Sequence, residues 1–209
     1  MIDELYSHVD LEISDRTISY GEVKTLLDRA VELKLRAVCL PPSFARWAKR
    51  YVGDRVKVCV YVNAPTGNDT VNAKTVLIRE GLKCGADEFE VCVNLNELKS
   101  GNVDYTLSEL RQIKRACRSK LFKCAIDTGV LTKPETETLC KCLLAAKCDY
   151  ISVGSPFGGI INDFGEIAKI LCRKVRIKTL AKTPSNSELQ SLVDKGADRV
   201  GIISLPTPE

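Results

Sequence analysis

The sequence predicts a (β/α)₈ barrel formed by one domain over residues 1–209. Three observations carry this expectation. Eight short apolar runs alternate with amphipathic helical stretches, the pattern of parallel strands joined by helical crossovers. A helix–turn–strand unit recurs, as Gly85-Ala86-Asp87-Glu88, as Gly196-Ala197-Asp198-Arg199, and more loosely as Lys147-Cys148-Asp149-Tyr150. Several strands are also apolar on one face and polar on the other. In a doubly wound open sheet, the alternative architecture, helices cover both faces and both should be apolar. In a closed barrel the apolar face meets the helices and the polar face points inward.

The elements follow in order. Residues 6–11 read as a short first strand. A helix is expected over about 20–34, with Val23, Leu26, Leu27, Ala30 and Val31 at helical spacing. Arg36–Leu40 is the second strand. Ser43 is the expected cap of the helix that carries Phe44, Trp47 and Ala48. Val56–Val62 is the third strand, with Val56, Val58, Val60 and Val62 opposite Lys57, Cys59, Tyr61 and Asn63. A loop through Pro65 and Gly67 leads to a helix reaching Cys84. Gly85 suits the left-handed residue that ends it.

The fourth strand sets Phe89, Val91 and Val93 against Glu88, Glu90, Cys92 and Asn94. A helix follows over about 104–118. Leu121–Asp127 is the fifth strand, with Lys123, Ala125 and Asp127 on its polar side. Thr132, Pro134 and Glu135 spell a capping box that opens the next helix. Tyr150–Val153 is the sixth strand. A glycine-rich loop from Gly154 to Gly159 then leads to a helix over about 163–173. Val175–Thr179 is the seventh strand and presents Lys178. Ser185 and Glu188 form a second capping box, and Arg199–Ile203 is the eighth strand.

Composition narrows the function. The net charge of +4 suits a small anion and argues against a nucleic-acid partner. No apolar run has transmembrane length and the N-terminus lacks a basic-then-apolar leader, so no membrane and a cytoplasmic location are expected. The ten cysteines lie singly in apolar segments without a CxxC pair, and His8 is the only histidine. They read as reduced packing thiols rather than a disulfide framework or a metal site.

Glu90, Lys123, Asp127 and Lys178 share the polar side of their strands. Charges shut inside a barrel must compensate one another. A lysine beside a carboxylate in a dry site can attack a carbonyl while the carboxylate shuttles protons.

These residues lead to a family resemblance. Ala37-Val38-Cys39, Gly85-Ala86-Asp87-Glu88 with Asn94, Leu98-Lys99-Ser100-Gly101-Asn102, Lys123, Thr128, Leu131-Thr132 and Gly196-Ala197-Asp198-Arg199 together resemble deoxyribose-phosphate aldolase, over nearly the whole chain. The resemblance implies a Schiff-base aldolase barrel that cleaves 2-deoxyribose 5-phosphate without a cofactor. Its partner would be a small phosphorylated sugar or aldehyde, with a homodimer left open. The departures fall at the chemistry. The family's sixth strand carries its nucleophile in Lys-Thr-Ser-Thr-Gly, whereas this chain has Ser152-Val153-Gly154-Ser155-Pro156, and a serine cannot form an iminium. The relay aspartate becomes Glu90, and the second lysine survives as Lys178. The family's Gly-Gly turn is replaced by Ala181-Lys182. Its Gly-x-Ser-Ser becomes Gly201-Ile202-Ile203-Ser204.

Lys178, Glu90, Lys123 and Ser152 are therefore the expected catalytic positions, and Thr128, Lys182, Gly201 and Ser204 the substrate-binding ones. Three functions stay open: an aldolase with Lys178 as a relocated nucleophile, a catalytically inactive binding or regulatory barrel, and another lyase or isomerase using the same pocket. The aldolase reading requires Lys178 at the pocket with a lowered pKa.

Overall fold

The computed structural model describes residues 2–154 and 164–205. After a short helix α1 (Ile2–Tyr6) the chain runs β1 (Val9–Glu12), α2 (Tyr20–Glu32), β2 (Ala37–Leu40), α3 (Pro42–Val52), β3 (Lys57–Val62), α4 (Val71–Lys83) and β4 (Glu88–Cys92). It continues through α5 (Leu95–Lys99), α6 (Val103–Cys117), β5 (Leu121–Ile126), α7 (Lys133–Ala146), β6 (Tyr150–Val153), α8 (Gly165–Leu171), β7 (Arg176–Ala181), α9 (Asn186–Asp194) and β8 (Arg199–Ile202). The eight strands are parallel neighbours in chain order, and β8 closes on β1 through Val9 opposite Val200 and Asp10 opposite Gly201. The expected barrel is the observed one.

The repeated aspartate turn has a specific task. Asp87, Asp149 and Asp198 each stand just before an even-numbered strand. Each accepts the backbone N–H of the second residue of the preceding odd-numbered strand: Val58 at 3.0 Å, Phe122 at 2.8 Å and Ile177 at 2.8 Å. The turn thus fixes register at the N-terminal end of the barrel, where a one-residue slip would exchange the two strand faces. Gly85 and Gly196 hold positive φ angles of 87° and 104°, which costs little without a Cβ. In the looser third copy Lys147 adopts the left-handed conformation instead.

Alternation then sorts the side chains. Val58, Val60, Phe89, Val91, Phe122, Cys124, Ile151, Ile177 and Val200 join the core between strands and helices. Asp10, Glu12, Cys39, Tyr61, Glu88, Glu90, Lys123, Ser152, Lys178 and Arg199 occupy the other face, and all are buried. The capping boxes at Thr132–Glu135 and Ser185–Glu188 are present.

Two local expectations are corrected, and a third is not reached. The first strand starts at Val9, because residues through Tyr6 complete α1 and the Tyr6 hydroxyl donates to Asn186 Oδ1 at 3.1 Å. Helix α3 is capped by extended Pro41 and opens on Pro42, so Ser43 is already helical. The glycine-rich loop beyond Gly154, and the start of the helix expected from about 163, lie outside the described residues. Among those described, no helix is long and apolar enough to cross a membrane.

Candidate functional site inside and above the barrel

The barrel floor is a closed ionic plug. Arg199, the first residue of β8, forks onto Glu88, the first residue of β4, with Nη1–Oε2 2.6 Å and Nη2–Oε1 2.9 Å. A planar guanidinium matches both carboxylate oxygens at once. The Tyr150 ring lies against it, 5.0 Å from Arg199 and 4.2 Å from the Arg176 guanidinium. This is the N-terminal end of the barrel, which serves stability rather than chemistry.

Above the floor, Lys123 contacts Asp10 in a very short ion pair and Glu88 at 2.9 Å. One step higher, Lys178 Nζ lies 2.5 Å from Glu90 Oε2, 2.5 Å from Glu12 Oε1 and 3.5 Å from Asp10 Oδ2. Ser152 Oγ donates to Glu90 Oε1 at 2.9 Å, and the Tyr61 hydroxyl donates to Glu12 Oε2 at 2.6 Å. Strand register produces this cluster, because Tyr61 stands opposite Glu90, Glu90 opposite Lys123, and Ser152 opposite Lys178. Gly201 stands behind it. A Cβ there would fall 2.7 Å from Glu12 Oε1 and 3.1 Å from Lys178 Cε, so the bare glycine leaves room for the Glu12–Lys178 pair.

The electrostatics set the protonation states. Burial opposes charge on Lys178, but the groups around it (Cys39, Glu12, Glu90 and Asp10) outweigh burial and raise its pKa well above the ordinary lysine value. The carboxylates carry this effect, because burial also pushes the Cys39 thiol up and keeps it neutral. Lys123 is raised in the same way: Asp10 leads the opposition to burial. Burial would lift Asp10, yet Arg199, Lys123 and Lys178 hold it well below the carboxylate range. Glu12 goes the other way. Burial is the largest influence and raises it, Lys178 opposes, and Glu90 and Asp10 add to the rise. Four carboxyls (Asp10, Glu12, Glu88, Glu90) face three cations (Lys123, Lys178, Arg199), so one carboxyl is in excess. Glu12 is the carboxyl of this set whose pKa is raised. Its Oε1, though at ion-pair distance from Lys178, lacks hydrogen-bond geometry.

Two sets of ligand-type atoms sit close enough to share a metal ion: Cys39, Cys59 and Glu90, and Asp10, Glu12 and Cys39. Lys178 Nζ lies 3.6 Å and Lys123 Nζ 3.9 Å from Cys39 Sγ, so ammonium groups already supply positive charge to both.

Of the sequence-predicted residues, Glu90, Lys123, Ser152 and Lys178 come together. Asp127 does not join them. It lies past the end of β5 and accepts the Gly129 N–H at 3.0 Å, capping the turn Thr128–Val130. Thr128 is buried in that turn. Lys182 and Ser204 are exposed at the ends of β7 and β8, where the Lys182 carbonyl accepts the amides of Ile203 at 3.1 Å and Ser204 at 3.0 Å. Sequence reasoning missed Asp10 and Glu12, and it put Tyr61 and Glu88 on inward faces and Arg199 in the repeated turn without giving any of the three a place in the site. The signal for the first two was present in Val9-Asp10-Leu11-Glu12-Ile13, a clean alternation in a strand placed too early in the chain.

Similarity to known proteins agrees with this architecture. Residues 2–148 match the DeoC/LacD family aldolase profile. Proteins named deoxyribose-phosphate aldolase from Streptococcus pyogenes serotype M4 and Streptococcus agalactiae serotype V are each 30% identical over 203 residues, covering 96% of this chain and 91% of theirs. Among solved structures, an aldolase called QR15 superposes with a TM-score of 0.89 at 24% identity, covering 97% of this chain and 92% of its own. A deoxyribose phosphate aldolase from Aeropyrum pernix, described as having a unique tetrameric structure, gives 0.87 at 19% identity, with 96% and 87% covered. At these identities the two structures speak for the fold.

Proposed function

The chain belongs to the DeoC/LacD aldolase family, and from that premise we propose that it is a family member without Schiff-base catalysis, working as a binding or regulatory barrel for a small phosphorylated sugar or aldehyde. One observation carries the reading: Lys178 Nζ is held between Glu12 and Glu90 at 2.5 Å from each, on a side chain 1% exposed. An amine attacks a carbonyl only when neutral and within reach. This one is a protonated, ion-paired ammonium whose pKa is shifted opposite to the direction nucleophilic activation requires. Ser152, at the family's lysine position, is a donor to Glu90 and offers no amine. The amides of Ile203 and Ser204, bonded to Lys182, add to the case by weakening the phosphate turn that would position a sugar phosphate.

The aldolase reading with Lys178 as nucleophile draws its support from the named relatives and from the retained Glu90 and Lys123. It requires Lys178 to lose a proton and leave two carboxylates. Borohydride trapping with acetaldehyde and with deoxyribose 5-phosphate, followed by peptide mass spectrometry, decides between the two. The expected result is no adduct. A reduced adduct on Lys178, together with cleavage at an ordinary enzyme rate of about 10 per second, would establish the aldolase reading instead. A homodimer and a cytoplasmic location belong to the same proposal. Sedimentation equilibrium and fractionation of cells test them.

A further inference from the structure

One cavity lies beside the barrel interior, and Lys178 is not among its lining residues. It opens above β1, β2 and β3, at the C-terminal end of the strands where barrel sites form. Its volume is about 680 Å³, within the range of small-molecule pockets. Pro41, Pro42, Ala64, Pro65 and Leu77 give it apolar walls, and Tyr61 lines it beside the barrel interior.

The wall formed by residues 63–69 is built to hold its shape. Asn63 brackets it: its Nδ2 donates to Asp69 Oδ2 at 2.6 Å and its Oδ1 accepts the Asp69 amide at 2.9 Å. Gly67 holds a φ of 69° so close to β4 that a Cβ would collide with the Val93 carbonyl at 2.2 Å. Buried Lys74 donates to the Gly67 carbonyl at 2.5 Å and pairs with buried Glu109 at 2.6 Å. A preformed pocket spends less binding energy on ordering itself.

The polar groups at this pocket are unequal. Asp69 is engaged by Asn63. Arg16 stands exposed on the lining and forms no salt bridge among the described residues. Asp15 beside it feels its charge, and an exposed guanidinium at the edge of an apolar cavity favours a ligand with one anionic head and an apolar body. Tyr61 links that cavity to the charge cluster, since its hydroxyl donates to Glu12, which lies against Lys178.

We propose that this β1–β3 cavity is a ligand site for a small amphipathic monoester or carboxylate, with its anionic head on Arg16 and its apolar body between Pro41, Pro65 and Leu77. The site gives the binding-barrel reading a ligand class and rests on it only for its purpose. The measurement involves no turnover, so a trapped Schiff base would overturn that reading and leave this one standing.

The test is titration calorimetry of the full chain with phenyl phosphate, alongside inorganic phosphate and benzyl alcohol. Phenyl phosphate should bind at least tenfold more tightly than either fragment. Arg16→Glu and Pro42→Trp, both at exposed positions, should each weaken it tenfold or more while circular dichroism stays unchanged. No binding, equal binding of inorganic phosphate, or binding that survives either variant would overturn the proposal.

Discussion

Ser152 donates its hydroxyl proton to Glu90 across 2.9 Å, and the other oxygen of the same carboxylate holds Lys178. The Ser152 hydroxyl is thus part of the ionic lattice. Ser152→Ala removes one donor from a buried carboxylate. Hydrogen bonds to charged groups contribute about 1.5–3 kcal/mol, so urea unfolding at pH 7 should show a loss of that size. A loss below ~0.5 kcal/mol would mean that the hydroxyl is not needed there.

Lys178→Met should cost stability. It leaves Glu12, Glu90 and Asp10 facing one cation fewer, and breaking a buried pair from one side costs about 3–5 kcal/mol. A substitution that is neutral at pH 7 would contradict the ion-paired state of this lysine.

Glu12→Gln tests the excess carboxyl. The amide oxygen can still accept from Tyr61, but the titration is gone. Glu12 is raised in the folded protein from its ordinary 4.5. Its contribution to stability is therefore complete below pH 4.5 and declines as pH rises through the folded value. Each unit of elevation is worth about 1.4 kcal/mol. Relative to Glu12→Gln, the natural protein should lose stability as pH rises above 4.5. The opposite slope would show Glu12 ionised.

Lys74 and Glu109 are both 0% exposed and join α4, α6 and the 63–69 loop. Glu109 also accepts the Asn94 amide at 3.0 Å. Lys74→Met leaves an uncompensated buried carboxylate, and a loss of about 3–5 kcal/mol is expected. Hydrogen exchange should quicken first at Gly67 and Asn94. Unchanged protection at both would separate the ion pair from the loop.

All ten cysteines are free, and Cys172 alone among them is exposed. A thiol reagent should label Cys172 quickly in the native protein and reach ten thiols on denaturation without reductant. Several fast thiols in the native state would contradict the burial of eight of the others, Cys84 being half-buried.

The chain by itself determined the barrel and its inward face. Strand alternation has a period of two, and the Asp87, Asp149 and Asp198 turns are local, so both are written in contiguous residues. It also determined that Glu90, Lys123, Ser152 and Lys178 meet inside, because parallel neighbours in chain order leave little freedom of register. Only the tertiary structure decided what state those groups are in. The sign of the Lys178 shift depends on Glu12 and Asp10, which lie more than 160 positions away in the chain and reach it only when β8 closes on β1. The partition of Ile203 and Ser204 amides onto Lys182, and the cavity above β1–β3, were equally out of reach. Each is set by distances between loops whose separation along the chain carries no information about their separation in space.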